Sequence, residues 1–272
     1  LKGTVVDHMG SPVPYALVTV SSLLPQKRTY TDVGGNFLLQ GVRPGTWPLV
    51  AQGTVGSRRV YAFQSVSVQA DETETADFVL ETTADLDGVL ASVDGAVRTG
   101  TVRIHPYDET ATALEDIHYD TTVSSQNFSI PSVPPGQYFL WATGMGANTP
   151  YTVWQSLFLQ RGPNSRTVAI PAAFVGGRVL GPVGQALASV SLQLLPRLDE
   201  HVKLPQSLYN SLMRAAFSGA NGVFQFNYVQ PGNYQLLYLS PTGAFAGQWM
   251  AMPPFSLGSG QSIPNMDIPV SE

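Results

Sequence analysis

Four histidines, nineteen acidic side chains and no cysteine are the material from which this chain could build a reactive centre. The absence of cysteine removes disulfides, thiolate metal sites and cysteine nucleophiles together. The histidines His8, His105, His118 and His201 are scattered without a close histidine partner, and they read as surface or turn residues. One acidic stretch, Asp108, Glu109, Glu115, Asp116 and Asp120 beside His118, could hold a hard cation through oxygen ligands; a solvated loop between strands is the simpler reading. No Gly precedes a Lys, which excludes a phosphate-binding P-loop, and Gly144-Met145-Gly146 lacks both a third Gly and a helix to follow it. Neither a Gly-x-Ser-x-Gly elbow nor a His-Glu-x-x-His zinc motif occurs. No catalytic residue, metal site or cofactor is therefore expected.

Aromatic rings are the other groups with binding chemistry. Trp141, Tyr151 and Trp154 cluster late in the middle of the chain, and Trp249 and Phe255 lie near its end. Rings on a sheet face can stack on the apolar face of a sugar while neighbours such as Asn148 or Gln155 meet its hydroxyls. Trp141, Tyr151, Trp154 and Trp249 are thus the candidate contacts for a polysaccharide or a protein partner. Core packing or contact between modules is the competing expectation for Trp141 and Trp154, because an aromatic patch implies interaction only where it is exposed and contiguous.

What must position these side chains is an internal repeat. Gly35-Asn36-Phe37 leads to Val42-Arg43-Pro44-Gly45-Thr46-Trp47, Gln126-Asn127-Phe128 to Val133-Pro134-Pro135-Gly136-Gln137-Tyr138, and Gly222-Val223-Phe224 to Val229-Gln230-Pro231-Gly232-Asn233-Tyr234. The Phe-to-Pro spacing is 7 in every copy, and successive Phe residues stand 91 and 96 apart, the length of one small sandwich domain. Upstream, Leu1–Val6, Leu86–Leu90 and Val175–Leu180 are short apolar segments with a central Gly. Each precedes a strand of period two, as in Ala16, Val18 and Val20, or Ala188, Val190, Leu192 and Leu194. Asp32-Val33-Gly34-Gly35-Asn36 reads as a tight turn, and Pro44-Gly45 as a second in which Pro presets φ. Trp47, Tyr138 and Tyr234 take core positions by their place in the repeat.

The predicted fold is all-β: three tandem antiparallel Ig-like β-sandwich modules of about seven strands each, over 1–82, 83–171 and 172–272. The third carries a longer connection at 197–217, where Leu204, Leu208, Leu212 and Met213 at helical spacing, with Pro205 in the first turn, predict a short helix. Short joints at 81–85 and 170–173, without Gly/Ser-rich stretches, predict a semi-rigid row.

Gly3–Asp7, Gly10–Ala16, Thr31–Phe37 and Pro44–Trp47 together resemble the carboxypeptidase regulatory-like domain. That resemblance implies a transthyretin-like sandwich of about seven strands, with modules two and three as divergent copies, and it is nearly silent on function. Related collagen-adhesin B-type modules join a first-strand Lys to a last-strand Asn by an isopeptide bond. Here Lys2 is present, but the last strand offers Asp77, and Gln40 stands where an acid is usual, so the cross-link is not expected.

Composition narrows the function classes. The charges balance to -5, which gives no electrostatic footprint for nucleic acid or an anionic membrane. Starting at Leu1, with no leader and no apolar run long enough to span a bilayer, the sequence reads as a soluble portion of a longer exported bacterial protein, at the cell surface, outside the cell or in the periplasm. Three expectations result: a non-enzymatic spacer or protein-binding segment, a carbohydrate-binding segment, or an accessory region of an enzyme whose catalytic domain lies elsewhere.

Overall fold

A computed structural model describes residues 1–20, 27–92, 95, 99–106, 118–146, 149–198, 206–241 and 243–270; of residues 206–208 it describes the backbone alone. The acidic stretch 108–116, His201, Asn148, Leu204 and Pro205 lie outside the described residues, as does the side chain of Leu208.

The strands fall into three groups. Module one holds β1 (Lys2–Asp7), β2 (Leu17–Val20), β3 (Lys27–Tyr30), β4 (Asn36–Leu38), β5 (Gly45–Val55), β6 (Arg58–Val68) and β7 (Phe78–Leu80). Module two holds β8 (Ala84–Ser92), β9 (Gly100–Pro106), β10 (Tyr119–Val123), β11 (Asn127–Val133), β12 (Gly136–Gly146), β13 (Thr149–Leu159) and β14 (Gly162–Ile170). Module three holds β15 (Val175–Leu180), β16 (Ser191–Arg197), α1 (Gln206–Leu212), β17 (Arg214–Phe217), β18 (Val223–Phe226), β19 (Gly232–Leu239), β20 (Trp249–Ala251), β21 (Phe255–Leu257) and β22 (Ile268–Pro269).

Each module is a sandwich of a three-stranded sheet and a larger one, four-stranded in modules one and two and five-stranded in module three. The orders are β4-β1-β7 with β3-β2-β5-β6, β11-β8-β14 with β10-β9-β12-β13, and β18-β15-β22 with β17-β16-β19-β20, where β21 also pairs with β19. Every pairing is antiparallel except one per module: the closing strand runs parallel to the first, as β7 on β1, β14 on β8 and β22 on β15. Alternation along each strand puts one set of side chains between the sheets. Val5, Val18, Leu49, Phe78 and Leu80 are buried there in module one, and Leu86, Ile104, Ile130, Leu140 and Leu159 in module two.

The repeated sequence marks have common structural causes. Phe37 is the cross-strand partner of Gly3, Phe128 of Gly88 and Phe224 of Gly177. A Cβ on Gly3 would lie 1.8 Å from the Ala76 carbonyl oxygen and 2.9 Å from the Phe37 ring; on Gly88 it would lie 2.2 Å from the Phe128 ring. The central Gly of each first strand leaves room for backbone at or just before the closing strand, and at Gly3 and Gly88 for the repeat's Phe ring as well. The corner Gly is also shared, with φ of 140°, 149° and 155° at Gly45, Gly136 and Gly232. Module two turns into β11 through Ser125 and Gln126, both at positive φ, which is why its turn lacks the Gly signal of its neighbours.

The predicted helix is observed as α1, with Leu212 buried. Leu212 packs against Phe139 and Trp141 of module two, while the Tyr209 hydroxyl donates to the Pro196 carbonyl of its own sandwich at 2.9 Å.

Candidate functional site

The corners come first, because they build the surfaces where modules meet. In all three, the aromatic three residues past Pro donates to the carbonyl four residues upstream. The Trp47 indole Nε1 bonds the Arg43 oxygen at 2.7 Å, the Tyr138 hydroxyl the Pro134 oxygen at 2.7 Å, and the Tyr234 hydroxyl the Gln230 oxygen at 2.6 Å. The chain before each Pro cannot pair in a ladder, so this bond satisfies a carbonyl that would otherwise be stranded at the turn. Replacing Tyr138 with Phe leaves the buried Pro134 carbonyl without that donor and is expected to cost about 1–3 kcal/mol, read from urea unfolding followed by Trp fluorescence.

The outer faces of the larger sheets of modules one and two meet the module that follows. From module one, Val50 and Tyr61 enter the same buried cluster as Tyr119, Val133 and Tyr138 of module two. The Tyr119 hydroxyl donates to the Arg59 carbonyl at 2.9 Å, and Tyr61 hydrogen-bonds Tyr138. Tyr119 and Tyr138 meet edge to face at 6.3 Å. Burial pushes both phenols well above their ordinary range, so Tyr119 and Tyr138 are neutral at any physiological pH.

Beside this junction, Arg161 at the end of module two bonds Glu81 in the joint after module one, Nε to carboxylate at 2.9 Å with a second contact from Nη2. The guanidinium hydrogen bond holds Glu81 below its ordinary 4.5. A carboxylate depressed in the folded state stabilises above its unfolded pKa and loses that contribution as pH falls through the folded value. The clamp is therefore expected to be closed above about pH 4.5 and to release below it. The Arg161 side chain is largely exposed, so the effect is screened. Melting temperature of Glu81→Gln against the unmodified chain checks it: the two should converge as pH falls well below 4.5.

The second junction holds most of the aromatic candidates. Trp141 and Phe139, on the outer face of β12, are covered by Leu212, with Leu198 and Trp154 packed alongside. Trp154 pairs across the sheet with Trp141, and its backbone is gripped from both sides by one side chain: its N–H donates to Gln230 Oε1 at 2.9 Å, and its carbonyl accepts from Gln230 Nε2 at 3.0 Å. Tyr151 meets Tyr228 of module three edge to face at 6.5 Å, and burial pushes its phenol up to about 12. Arg214 of module three bonds the Pro150 carbonyl at 2.8 Å and the Asn227 carbonyl, and burial lowers its guanidinium to about 10. The Arg103 guanidinium lies 5.4 Å over the Trp141 ring.

The four candidate aromatics thus separate. Tyr151 is 1% exposed and Trp141 9%, both spent on packing, so neither offers a ring face to a sugar. Trp154 is half-buried and borders a groove of about 430 Å³ with Gln155, Ser156, Arg197 and Asn233. Trp249 is 43% exposed on module three. Among the histidines, His105 is buried and His8 and His118 are exposed, and no group of three or more metal-ligating side chains occurs among the described residues. Asp77, the residue at the cross-link position, accepts from the Thr4 N–H and hydroxyl, each at 2.8 Å, while Lys2 is exposed. Sequence reasoning missed Tyr61, Tyr119, Arg214 and Gln230; only their place in the repeat could have singled them out.

Residues 1–81 match the carboxypeptidase regulatory-like domain family. A comparison with curated protein sequences found no match. Among solved structures, a streptococcal ancillary pilin is 12% identical with a TM-score of 0.28, covering 100% of this chain and 98% of its own. The minor pilin GBS52 of Streptococcus agalactiae is 16% identical at a TM-score of 0.33, over 62% of this chain and 94% of that one. The Bacillus anthracis TIE protein is 13% identical at a TM-score of 0.26, over 98% of this chain; the chain spans 49% of its length. At these values the likeness is distant. Among the described residues no helix is long and apolar enough to cross a membrane.

Proposed function

We propose that the chain is a non-enzymatic structural or interaction segment of an exported bacterial surface protein, three sandwiches locked in series into a stiff spacer. The supporting observation is that both junctions are continuous with the module-two core: Val50 and Tyr61 of module one and Tyr228 of module three all belong to its buried cluster. Domains joined by flexible tethers share no such cluster, and relative motion is the ordinary expectation unless an interface is large and hydrophobic. Spacing needs stiffness, and stiffness here comes from side chains rather than from the linkers. Small-angle X-ray scattering on the chain tests it. A single rigid envelope unchanged between low and high salt supports the reading, and a broad distribution of dimensions would end it.

A second reading, carbohydrate binding, draws support from the groove in which Trp154, Gln155, Arg197 and Asn233 meet at the second junction. It predicts polysaccharide retention in gel retardation that is lost in Trp154→Ala; retention in neither chain removes it.

A further inference from the structure

The groove beside Trp154 has walls from two modules. From module two come Phe139 and Trp154, with Gln155 and Ser156 beside them; module three contributes residues 196–198 and the corner 230–233. Its volume of about 430 Å³ is that of an ordinary ligand cleft. Arg197 is the one ionisable side chain among the lining residues, and it is exposed. The ion pairs among the described residues are Arg103 with Asp120 and Arg161 with Glu81, so no described carboxylate neutralises it. Asp199 and Glu200 lie outside the described residues. In a chain of net charge -5, this cleft carries a single positive head.

The backbone along one wall is open too. β13 is an edge strand of its sheet, and an edge leaves N–H and C=O groups without a partner strand. Side chains occupy that row at two places: Gln230 bonds both backbone groups of Trp154, and Arg166 Nη2 donates to the Phe158 carbonyl at 3.1 Å. Alternate residues of an antiparallel strand turn their backbone groups to the same side, so Ser156, between these two, presents its N–H and C=O outward as well. A peptide adding itself as a strand bonds the edge at every second residue, and Gln230 and Arg166 block it one step to either side. One open residue suits a compact ligand that carries hydroxyls. Asn233 Oδ1 accepts from the Ser256 hydroxyl at 2.6 Å, which leaves its Nδ2 as a further donor to the cleft. Gln230 spends its own amide on Trp154 and thereby fixes the strand that carries the indole, so the platform is preorganised.

We propose that this groove binds an acidic sugar, a uronate whose carboxylate pairs with Arg197 while its ring lies on Trp154. Each part of such a ligand has a counterpart in the cleft. The apolar C–H face of the pyranose meets the indole, its hydroxyls meet the Ser156 backbone and Asn233, and the carboxylate accepts two parallel bonds from the guanidinium. The proposal rests on the carbohydrate reading above and narrows it to anionic sugars. An acidic peptide would satisfy Arg197 but leave the indole and the Ser156 backbone unused.

Isothermal titration calorimetry of the chain reads it directly. The probes are short oligosaccharides of galacturonate and of glucuronate, the methyl esters of both, which keep rings and hydroxyls but lose the charge, and neutral cello-oligosaccharides. The expected result is that a uronate binds about tenfold or more tightly than its own ester, and that added salt narrows the gap. Arg197→Gln should close the gap by weakening the acid form alone, and Trp154→Ala should weaken acid and ester together. Arg197 is exposed, so Arg197→Gln keeps the test decisive even if Trp154→Ala disturbs the junction. Equal affinity for acid and ester, or an acid preference that Arg197→Gln leaves intact, would overturn the proposal and leave the carbohydrate reading in place. Hexaglutamate binding as tightly as the uronates would overturn it in favour of an acidic peptide. No heat with any of the sugars would remove the proposal and the carbohydrate reading together.

Discussion

Gly88→Ala is expected to unfold module two at temperatures where the unmodified chain is native, with a loss of about 3 kcal/mol or more, at the upper end of what overpacking costs. The reason is that the added methyl has nowhere to go. Its carbon would stand 2.2 Å from the Phe128 ring and 2.5 Å from the Arg166 carbonyl oxygen, one on each flanking strand of a three-stranded sheet. A ring can turn aside, but the carbonyl belongs to the β14 backbone, held in register with β8 over nine residue pairs from Gly162 to Ile170. Relief therefore requires the parallel closing strand to separate from β8, which opens the sandwich. Two controls isolate the cause. Gly219→Ala, whose added carbon would meet nothing nearer than 3.6 Å, should change stability by less than about 0.5 kcal/mol. Phe128→Leu combined with Gly88→Ala should cost less than the two singly, since removing the ring removes one of the two collisions. Chemical denaturation of the four variants checks the set, and additive costs would show that the Gly–Phe pairing is incidental.

That pairing also shows what could be read from the residues alone. The Phe, the Pro-Gly corner and the aromatic after it stand at fixed spacing because each makes a local or near-local contact: a cross-strand pair, a turn, a hydrogen bond across four residues. Such contacts leave a mark in one segment of sequence. The parallel closing strand left none, since Phe78-Val79-Leu80 and Ile268-Pro269 have the same alternation whichever way they pair. The junctions were hidden for a related reason. Alternation tells the inner from the outer face of a sheet, yet Trp141 and Trp249 both lie on outer faces, and Trp141 is buried because Leu212 of module three packs on it while Trp249 is 43% exposed. Leu212 was legible as a helical residue but not as one that packs on another module, because helix periodicity names a face and not its partner. Trp47 shows the converse. Its position predicts core, and it is half-buried at the edge of the module-one cluster, its indole N–H turned to the Arg43 carbonyl.

Tyr61→Ala is the substitution expected to uncouple module one from module two while leaving each sandwich folded. The side chain projects from the outer face of β6 and is no part of module one's own core, whose buried residues are Leu49, Ala51 and Val60 on the opposite face. In module two's cluster it stands with Tyr119 and Tyr138, hydrogen-bonded to the latter. Removing it exposes apolar surface of Val50 and Val133, leaves a cavity between the modules and deprives Tyr138 of a buried partner, a loss of about 3–5 kcal/mol on the scale of large aromatic truncations. That free energy comes from the junction, so it should appear as lost cooperativity rather than as an unfolded module. In the unmodified chain modules one and two are expected to melt together; in Tyr61→Ala module one should melt first, as a separate calorimetric transition. Tyr61→Phe separates the two contributions, since it keeps the ring and drops the hydroxyl, and should cost only about 1–2 kcal/mol and keep the transitions merged. Two polar ties remain, the Tyr119 hydroxyl to the Arg59 carbonyl at 2.9 Å and Arg161 to Glu81, the latter exposed and salt-screened. The Tyr61 ring is the largest apolar contribution to this joint, and a Tyr61→Ala chain that still melts as a unit would place the coupling in those ties and Val50.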